Sequence, residues 1–437
     1  MKTPVWTWLP GAADPVLAAQ LDLESGQGRL SYETAYMEAA HARALDPMQL
    51  RFSRKSSGIP ILKDGGLPGV LQDAMPAGYG ADRLKARHQR DLSALELMEL
   101  GPPDGVGAIE VCQDIDRKLA WRPHTLDELV DHIQELEDSA PASRAIRRLL
   151  DDATTSAGGE RPKVTLLDDG KLWLAKLQDR GDAPHLPIRE YVVMHMAAEL
   201  ELQVPEVRLE QHAGREVFLI ERFDRAGDPL HPQRHLFASA HTVLGLDGST
   251  LPGDARRSYL VLADQMRRWI TDAQACQQDL QELWRRMAYN ALVGNRDDHP
   301  RNHGLLHDGS GWRLSKAFDI TPLPNFARVL AMSVAADGSQ ECSLHQLLKA
   351  APHFDLTLRD AAAWLADASV HVAQHWQAYL QTHGVPAAQT EPFAPAFGMA
   401  TELAEQPDQI DAAAQAVEQE LNKGKRRRRP KPNEIEP

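Results

Sequence analysis

Gly294-Asn295-Arg296-Asp297-Asp298-His299-Pro300-Arg301-Asn302 is the stretch that decides the fold, read together with Phe318-Asp319-Ile320 a short way on. Asp297 and Asn302 stand five residues apart. Asp319 follows what reads as a hairpin, in which 303–307 and 312–315 bracket Asp308-Gly309-Ser310-Gly311. A carboxylate, an amide and a second carboxylate in that order suit phosphoryl transfer. One carboxylate orients an attacking hydroxyl, while the amide and the other carboxylate hold a cation on nucleotide phosphates. Magnesium is hard and takes oxygen ligands, so Asn302 and Asp319 fit as its donors. Asp298 competes with Asp297 by position, but the Asp-x-His-x-x-Asn spacing favours Asp297 as the catalytic carboxylate. His299 either approaches a phosphate or holds the loop in shape, and the second role is commoner. Each residue alone has a bland alternative: a loop carboxylate bonded to backbone N–H groups, a turn amide, a helix cap before Ile320-Thr321-Pro322. Their joint spacing favours chemistry.

Working upstream, Lys176 sits in Trp173-Leu174-Ala175-Lys176-Leu177. Two predicted strands, 164–167 and 172–177, flank Asp168-Asp169-Gly170, a strong hairpin signal. A lysine among apolar strand residues is costly to bury without a partner. Phosphate oxygens would serve, as would Glu190 on the helix that Pro187 opens. That helix is expected to run to about residue 202 with Tyr191, Met194, Ala198 and Leu202 near one face, and Glu199 and Glu201 compete with Glu190. Before the hairpin, residues 155–163 form a Gly-containing turn. Gly158 and Gly159 let backbone N–H groups approach a phosphate and Lys163 adds charge. Alone, this turn is no Gly-x-Gly-x-x-Gly and no Walker sequence. Two more strands, 204–210 and 216–223, surround Ala213-Gly214. The second ends in Glu221-Arg222-Phe223-Asp224-Arg225, where backbone groups of Glu221 and Phe223 would meet an adenine. Its bland alternative is a strand end with a surface ion pair.

The expected fold class is α+β: a two-lobed, protein-kinase-like fold with a small N-terminal α+β subdomain and a mostly helical C-terminal lobe. Residues 1–115 form the subdomain, with strands at Ser31-Tyr32-Glu33 and Leu50-Arg51-Phe52-Ser53, a short helix in 91–100 and a strand in 105–112. Residues 116–240 form the small lobe, opening with a helical stretch at 121–150 that Thr125 caps. Residues 241–422 form the catalytic lobe. There a helix at 280–294 carries Leu283, Trp284, Met287, Ala291 and Leu292 on one stripe, and 356–382 and 397–421 are helical. Residues 423–437 hold a basic run, from Lys423 through Arg426–Arg429 to Lys431, that reads as a disordered, solvated tail. Elsewhere the balance is acidic, with a net charge of −14, which argues against general nucleic-acid binding. No apolar run approaches the roughly 18 residues a membrane span needs, and no apolar leader opens the chain. Cys112, Cys276 and Cys342 are few and scattered, which suits a reducing cytoplasm.

This combination resembles the HipA-like toxin serine/threonine kinases of bacterial toxin–antitoxin systems. Gly158-Gly159-Glu160-Arg161-Pro162-Lys163 is similar to their Gly-rich loop, and Trp173-Leu174-Ala175-Lys176 to their nucleotide-lysine strand. Ile220-Glu221-Arg222-Phe223-Asp224-Arg225 is similar to the hinge strand, residues 294–302 to the catalytic loop, and Phe318-Asp319-Ile320 to the metal motif. Leu71-Gln72-Asp73-Ala74-Met75-Pro76-Ala77-Gly78-Tyr79-Gly80 echoes the family's first subdomain more loosely. The resemblance implies ATP and Mg²⁺ as cofactors and a protein hydroxyl as acceptor, the family suggesting an aminoacyl-tRNA synthetase. It implies autophosphorylation at Ser156, with Thr154 and Thr155 as neighbours. A phosphate there would add nearly two negative charges beside the ATP site and switch it off. It also implies a small helix-turn-helix antitoxin as partner, with DNA reached only through it and no membrane involved. Glu160 departs from what an anion-binding loop wants. The catalytic loop is also similar to that of phosphatidylinositol and aminoglycoside kinases. A small-molecule or lipid kinase therefore stands as an alternative, as does a catalytically dead kinase-fold binding module. The joint presence of Lys176, Asp297, Asn302 and Asp319 argues against the last.

Overall fold

Val5, Leu21 and Leu30 are fully buried while the residues on either side of each are more exposed, the signature of a sheet with one covered face. The computed structural model describes residues 2–24, 26–55, 58–130, 163–178, 183–212, 215–324 and 327–428, with side chains up to 423. In its N-terminal part, β1 (Lys2–Trp8), β2 (Pro15–Glu24), β3 (Gln27–Tyr32), β4 (Ile59–Ile61) and β5 (Ile109–Val111) form an antiparallel sheet in the order β4-β3-β2-β1-β5. Five short helices accompany it: α1 (Thr34–Met37), α2 (Gly69–Ala74), α3 (Tyr79–His88), α4 (Ala94–Leu100) and α5 (Ile115–Leu119). A capping box between Ser93 and Glu96 starts α4. The strand expected at Leu50–Ser53 is a loop. The Tyr32 hydroxyl donates to the Leu50 carbonyl at 2.7 Å, Asp46 holds the preceding turn through the N–H groups of Met48 and Gln49, and Phe52 is left 40% exposed. Four residues of alternation were too few to outweigh those local bonds.

The small lobe is a second sheet, β6 (His124–Thr125), β7 (Lys163–Asp168), β8 (Lys171–Leu177), β9 (Val207–His212) and β10 (Arg215–Glu221), in the order β6-β7-β8-β10-β9. The β7–β8 turn has Asp169 at φ 47° and Gly170 at φ 70°, the left-handed pair that Asp-Gly predicts. One face of this sheet carries Val164, Leu166, Trp173, Ala175, Val217 and Leu219 as a separate apolar cluster with Leu129. Phe218 and Ile220, which alternate with Val217 and Leu219, belong to the main core together with Val192, Val193 and Met196 of α6 (Leu186–Glu199). Helix α6 buries a wider arc than a single stripe: Ile188, Arg189 and Glu190 are all buried, whereas Ala198, expected on the apolar face, is exposed. Thr125 and Glu128 form the expected cap. Gly158, Gly159, Ser156, Thr154, Thr155 and the rest of the helix expected at 121–150 lie outside the described residues.

Past the ribbon of β11 (Arg225–Ala226) and β12 (Gln233–Arg234), β13 (Leu236–Ser239) pairs with β14 (Gly304–His307), which pairs with β15 (Trp312–Leu314). Strand β13 therefore belongs with the β14–β15 hairpin, ahead of the boundary expected at 240. The helices are α7 (Ala240–Val243), α8 (Tyr259–Trp269), α9 (Ala273–Leu292), α10 (Leu344–Ala350), α11 (Leu358–Thr382), α12 (Ala387–Thr390), α13 (Gly398–Glu405) and α14 (Asp408–Arg428). On α9, Leu283, Trp284, Met287 and Leu292 are fully buried, as the stripe predicts, while Ala291 is only partly buried. The disordered tail expected from 423 does not hold at its start, because α14 continues to Arg428. Among the described residues no helix is long and apolar enough to cross a membrane.

Candidate functional site

Strand alternation turns Trp173, Ala175 and Leu177 to the separate apolar cluster and leaves Lys176 on the face toward α6. Lys176 is in register with Phe218 on one side and with Lys163 on the other. Its ammonium lies 2.5 Å from Glu190 Oε1 and 2.6 Å from Asp319 Oδ1. The Lys176 side chain is 13% exposed, that of Glu190 5% and that of Asp319 37%. Burial alone would favour a neutral lysine, but the charges of Asp319 and Glu190 outweigh it and raise its pKa. Burial raises the Glu190 carboxyl, against the pull of Lys176. Asp319 goes the other way: burial is overcome by Lys176 and Lys163, which hold its carboxyl below the usual range. Of the three glutamates considered on this helix, only Glu190 reaches the lysine; Glu199 instead meets His371 and Tyr379.

The catalytic-loop stretch begins where α9 ends. Gly294 has φ 64°, and a Cβ there would lie 2.6 Å from the Ala396 carbonyl oxygen, so the turn requires glycine. The Asn295 N–H closes on the Asn290 carbonyl at 2.8 Å. The two adjacent aspartates then separate by burial. Asp297 is exposed, while Asp298 is 2% exposed with its Oδ1 2.8 Å from His303 Nε2, close but not aligned as a hydrogen bond. His299 caps the 3₁₀ turn Pro300–Asn302, its Nδ1 accepting from the Arg301 N–H at 3.2 Å. Asn302 is buried, and its Nδ2 donates to the Asp297 carbonyl at 3.0 Å. That leaves the amide oxygen as the end suited to a cation. Asn302 and Asp319 are both oxygen donors of the kind magnesium accepts, so the residues fit such an ion.

Asp319 has φ 60°, a left-handed backbone that Asp tolerates better than most residues. The segment around it is pinned: Ala317 N–H donates to Gln203, Leu323 N–H to Gly294 at 3.1 Å, and the Arg189 guanidinium of α6 to the Pro322 carbonyl. Phe318 stacks on Phe223 with centroids 5.6 Å apart, and Phe237 lies 6.4 Å from Phe223 and 6.5 Å from Phe318. An aromatic wall thus joins the stretch after β10 to the segment that carries Asp319. Glu221 keeps its carboxylate outside this cluster, 3.4 Å from Lys171.

Two groups carry more than their sequence signal suggested. The ion pair that the bland alternative would leave at the surface after Glu221 is buried. Arg222 donates to Asp224 at 2.9 and 2.8 Å, Arg225 to Asp224 at 2.7 Å, and both arginines reach carbonyls of Asp104, Gly105 or Gly107 in the N-terminal part. Burial would raise the Asp224 carboxyl, but the two guanidiniums hold it well below the usual range. Alternating charges at a strand end just before a Gly-Asp-Pro turn were the available clue. Asp73 of α2 is the other, buried and bonded to Ser239 and Thr242. A charge in a six-residue helix gives no local hint of that.

Residues 155–376 match the HipA-like C-terminal domain. The serine/threonine-protein kinase toxin HipA of Shewanella oneidensis is 23% identical over 204 residues, 41% of this chain and 46% of that protein. A putative kinase of Haemophilus influenzae is 27% identical over 170 residues, 35% of this chain and 46% of that protein. The chain thus spans about half the length of the curated relatives it matches. A chain from the solved Shewanella oneidensis MR-1 complex of HipA, HipB and operator DNA superposes with a TM-score of 0.66 at 16% identity, covering 94% of this chain and 99% of that one. At that identity the likeness concerns the fold, which here is α+β throughout. Since the matched domain spans half of the sequence, the chain belongs to the HipA-like C-terminal domain family.

Proposed function

We propose that this protein is an ATP- and Mg²⁺-dependent serine/threonine protein kinase that acts as the toxin of a toxin–antitoxin system. The observation that carries the reading is Lys176 held between Glu190 and Asp319, with the exposed Asp297 on a loop one strand pair away. In this reading Lys176 and Lys163 hold phosphate oxygens, Phe223 and Phe318 flank the base, and backbone groups at Glu221 and Phe223 bond its edge. Asp297 accepts the proton of the acceptor hydroxyl. The hydroxyl oxygen forms the new bond to the γ-phosphorus as the bond to the leaving ADP oxygen breaks. Asn302 and Asp319 hold magnesium, which when bound neutralises phosphate charge. His299 shapes the loop by capping its 3₁₀ turn. Asp298, buried beside His303, is poorly placed to compete for a substrate proton.

Gly158, Gly159 and Lys163 complete the phosphate cradle, and Ser156 is the autophosphorylation site. Residues 1–115, 116–240, 241–422 and 423–437 serve as N-terminal subdomain, small lobe, catalytic lobe and basic tail. A small helix-turn-helix antitoxin is the partner, and DNA is reached through it; the solved relative was captured with HipB and operator DNA. The acceptor is a protein of translation. Three buried, unpaired cysteines suit a cytoplasmic protein.

The test has two arms. Purified protein with ATP and Mg²⁺ gains one phosphate on the peptide holding 154–156, and Asp297→Asn gains none while nucleotide affinity stays within a few fold. Cells expressing wild type against Asp319→Asn then reveal the acceptor by phosphoproteomics. Nucleotide binding with no transfer to any acceptor would favour the dead kinase-fold module, and phosphorylated metabolites without phosphoproteins would favour the small-molecule kinase.

A further inference from the structure

Asp73 belongs to the N-terminal part, yet it is bonded to the strand that pairs with the end of the catalytic loop. Its side chain is 3% exposed. Oδ2 accepts from the Ser239 N–H at 2.8 Å and the Thr242 hydroxyl at 2.8 Å, and Oδ1 accepts from the Ser239 hydroxyl at 2.6 Å. The same Oδ1 lies 3.6 Å from Arg301 Nη1. Helix α2 comes close enough for this only because position 69 is glycine: a Cβ there would stand 2.6 Å from the Thr242 hydroxyl.

Ser239 is not a neutral anchor. It closes β13, where it pairs with Gly304, and it caps α7 by accepting from the Thr242 N–H at 3.3 Å. The next residue, Ala240, donates its N–H to the His303 carbonyl at 2.8 Å. His303 and Gly304 directly follow Asn302. Asp73 therefore reaches the catalytic loop by two routes, one through the β13–α7 corner to His303 and Gly304, the other through space to Arg301. The second is the weaker, since the Arg301 side chain is 48% exposed and an ion pair at the water boundary contributes little. Three hydrogen bonds to one buried, charged acceptor make the first route the rigid one.

We propose that Asp73 is a positioning residue for the catalytic loop, so that the N-terminal subdomain fixes where Asn302 stands. This rests on the kinase reading given above. The role is distinct from general scaffolding, because its predicted effect falls on cation binding at Asn302 rather than on the fold alone.

The two routes separate by substitution. Asp73→Asn keeps an oxygen for the Ser239 N–H and Thr242, and the Ser239 hydroxyl can rotate to accept from the new amide. It removes chiefly the charge facing Arg301. Asp73→Ala removes the corner as well. The probe is a non-hydrolysable ATP analogue, titrated with and without Mg²⁺, so that no turnover is required. Wild type should bind it more tightly with Mg²⁺. In Asp73→Ala that enhancement should fall at least fivefold, with metal-free affinity unchanged within twofold; in Asp73→Asn it should fall by no more than half. Where transfer is measurable, Asp73→Ala should lower kcat tenfold or more, raise the Mg²⁺ concentration for half-maximal rate, and raise KM for Mg²⁺–ATP in step with the lost enhancement. An Asp73→Ala protein with a lower Tm but the wild-type Mg²⁺ enhancement overturns the proposal. Should wild type itself show no Mg²⁺ enhancement, the kinase reading fails and takes this inference with it.

Discussion

Replacing Lys176 by methionine keeps the length of the side chain and removes its charge, which leaves Glu190 as a carboxylate 5% exposed without its cation. Breaking a buried pair from one side costs about 3–5 kcal/mol. At the lower end of the usual conversion for larger cooperative units, that is a fall in Tm of roughly 6–10 °C. The pH dependence carries the diagnosis. Burial already raises the Glu190 carboxyl, with Lys176 pulling it back down. In Lys176→Met burial and the charge of Asp319 push the carboxyl up, opposed only by the smallest of the influences on it, the charge of Lys163. An acid whose folded pKa exceeds its unfolded value of about 4.3 binds more protons when folded across the interval between them. Stability therefore falls as pH rises through that interval and levels off above it. The deficit of the variant should be greatest at pH 8 and shrink toward pH 5. Asp319 does not confuse the readout. Its carboxyl lies below the usual range, so its stabilisation is complete above pH of about 4, and losing it adds a constant, which partial exposure keeps small. Thermal unfolding of wild type, Lys176→Met and Lys176→Met/Glu190→Gln at pH 5 to 8.5 measures this. The double variant should recover more than half of the deficit. A deficit independent of pH that Glu190→Gln does not relieve would refute a buried ion pair at this place.

Three further outcomes follow from the geometry. Gly294→Ala combines φ 64° with a Cβ 2.6 Å from a backbone oxygen, so it should cost at least ~2 kcal/mol and lower Tm, visible by calorimetry. Asp224→Ala leaves Arg222 and Arg225 buried without their anion and should cost about 3–5 kcal/mol; limited proteolysis should then cut near residues 103–107, whose carbonyls those arginines hold. Asp298→Asn should lower Tm through its buried contact with His303 while keeping nucleotide binding, whereas Asp297→Asn should leave Tm within about 1 °C because the side chain is exposed, and abolish transfer by a factor on the order of 10²–10⁴.

How much of this was legible in the sequence differs by kind of signal. The Asp168-Asp169-Gly170 turn was readable because left-handed backbone restricts the residues allowed. Lys176 and Glu190 were readable because a buried charge demands a partner within a helix or strand length. Asp297 was preferred over Asp298 on spacing, and burial now separates the two on independent grounds. The strand expected at Leu50–Ser53 failed because bonds from Tyr32 and Asp46, distant or non-periodic, captured the backbone. Ala198 was misplaced because a helix buried over a wide arc has no single stripe. Asp73 was opaque for a different reason: its partner Ser239 lies 166 residues away, and no local pattern encodes a contact of that separation; at Asp224 the neighbouring arginines hinted at an ion pair, but its burial against Gly107, 117 residues away, had no local sign.

The left-handed backbone at Asp319 narrows the choices at that codon before any chemistry is considered. Only Asp, Asn and Gly sit there at little cost, and among these only Asp carries a charge for Lys176. A saturation library at 319 should therefore sort into three tiers rather than two: one residue that folds and functions, two that fold and are silent, and the remainder, whose loss of activity reports a distorted loop. Asn is on these grounds the informative substitution and Ala an ambiguous one, since Ala removes the carboxylate and strains the turn in a single step.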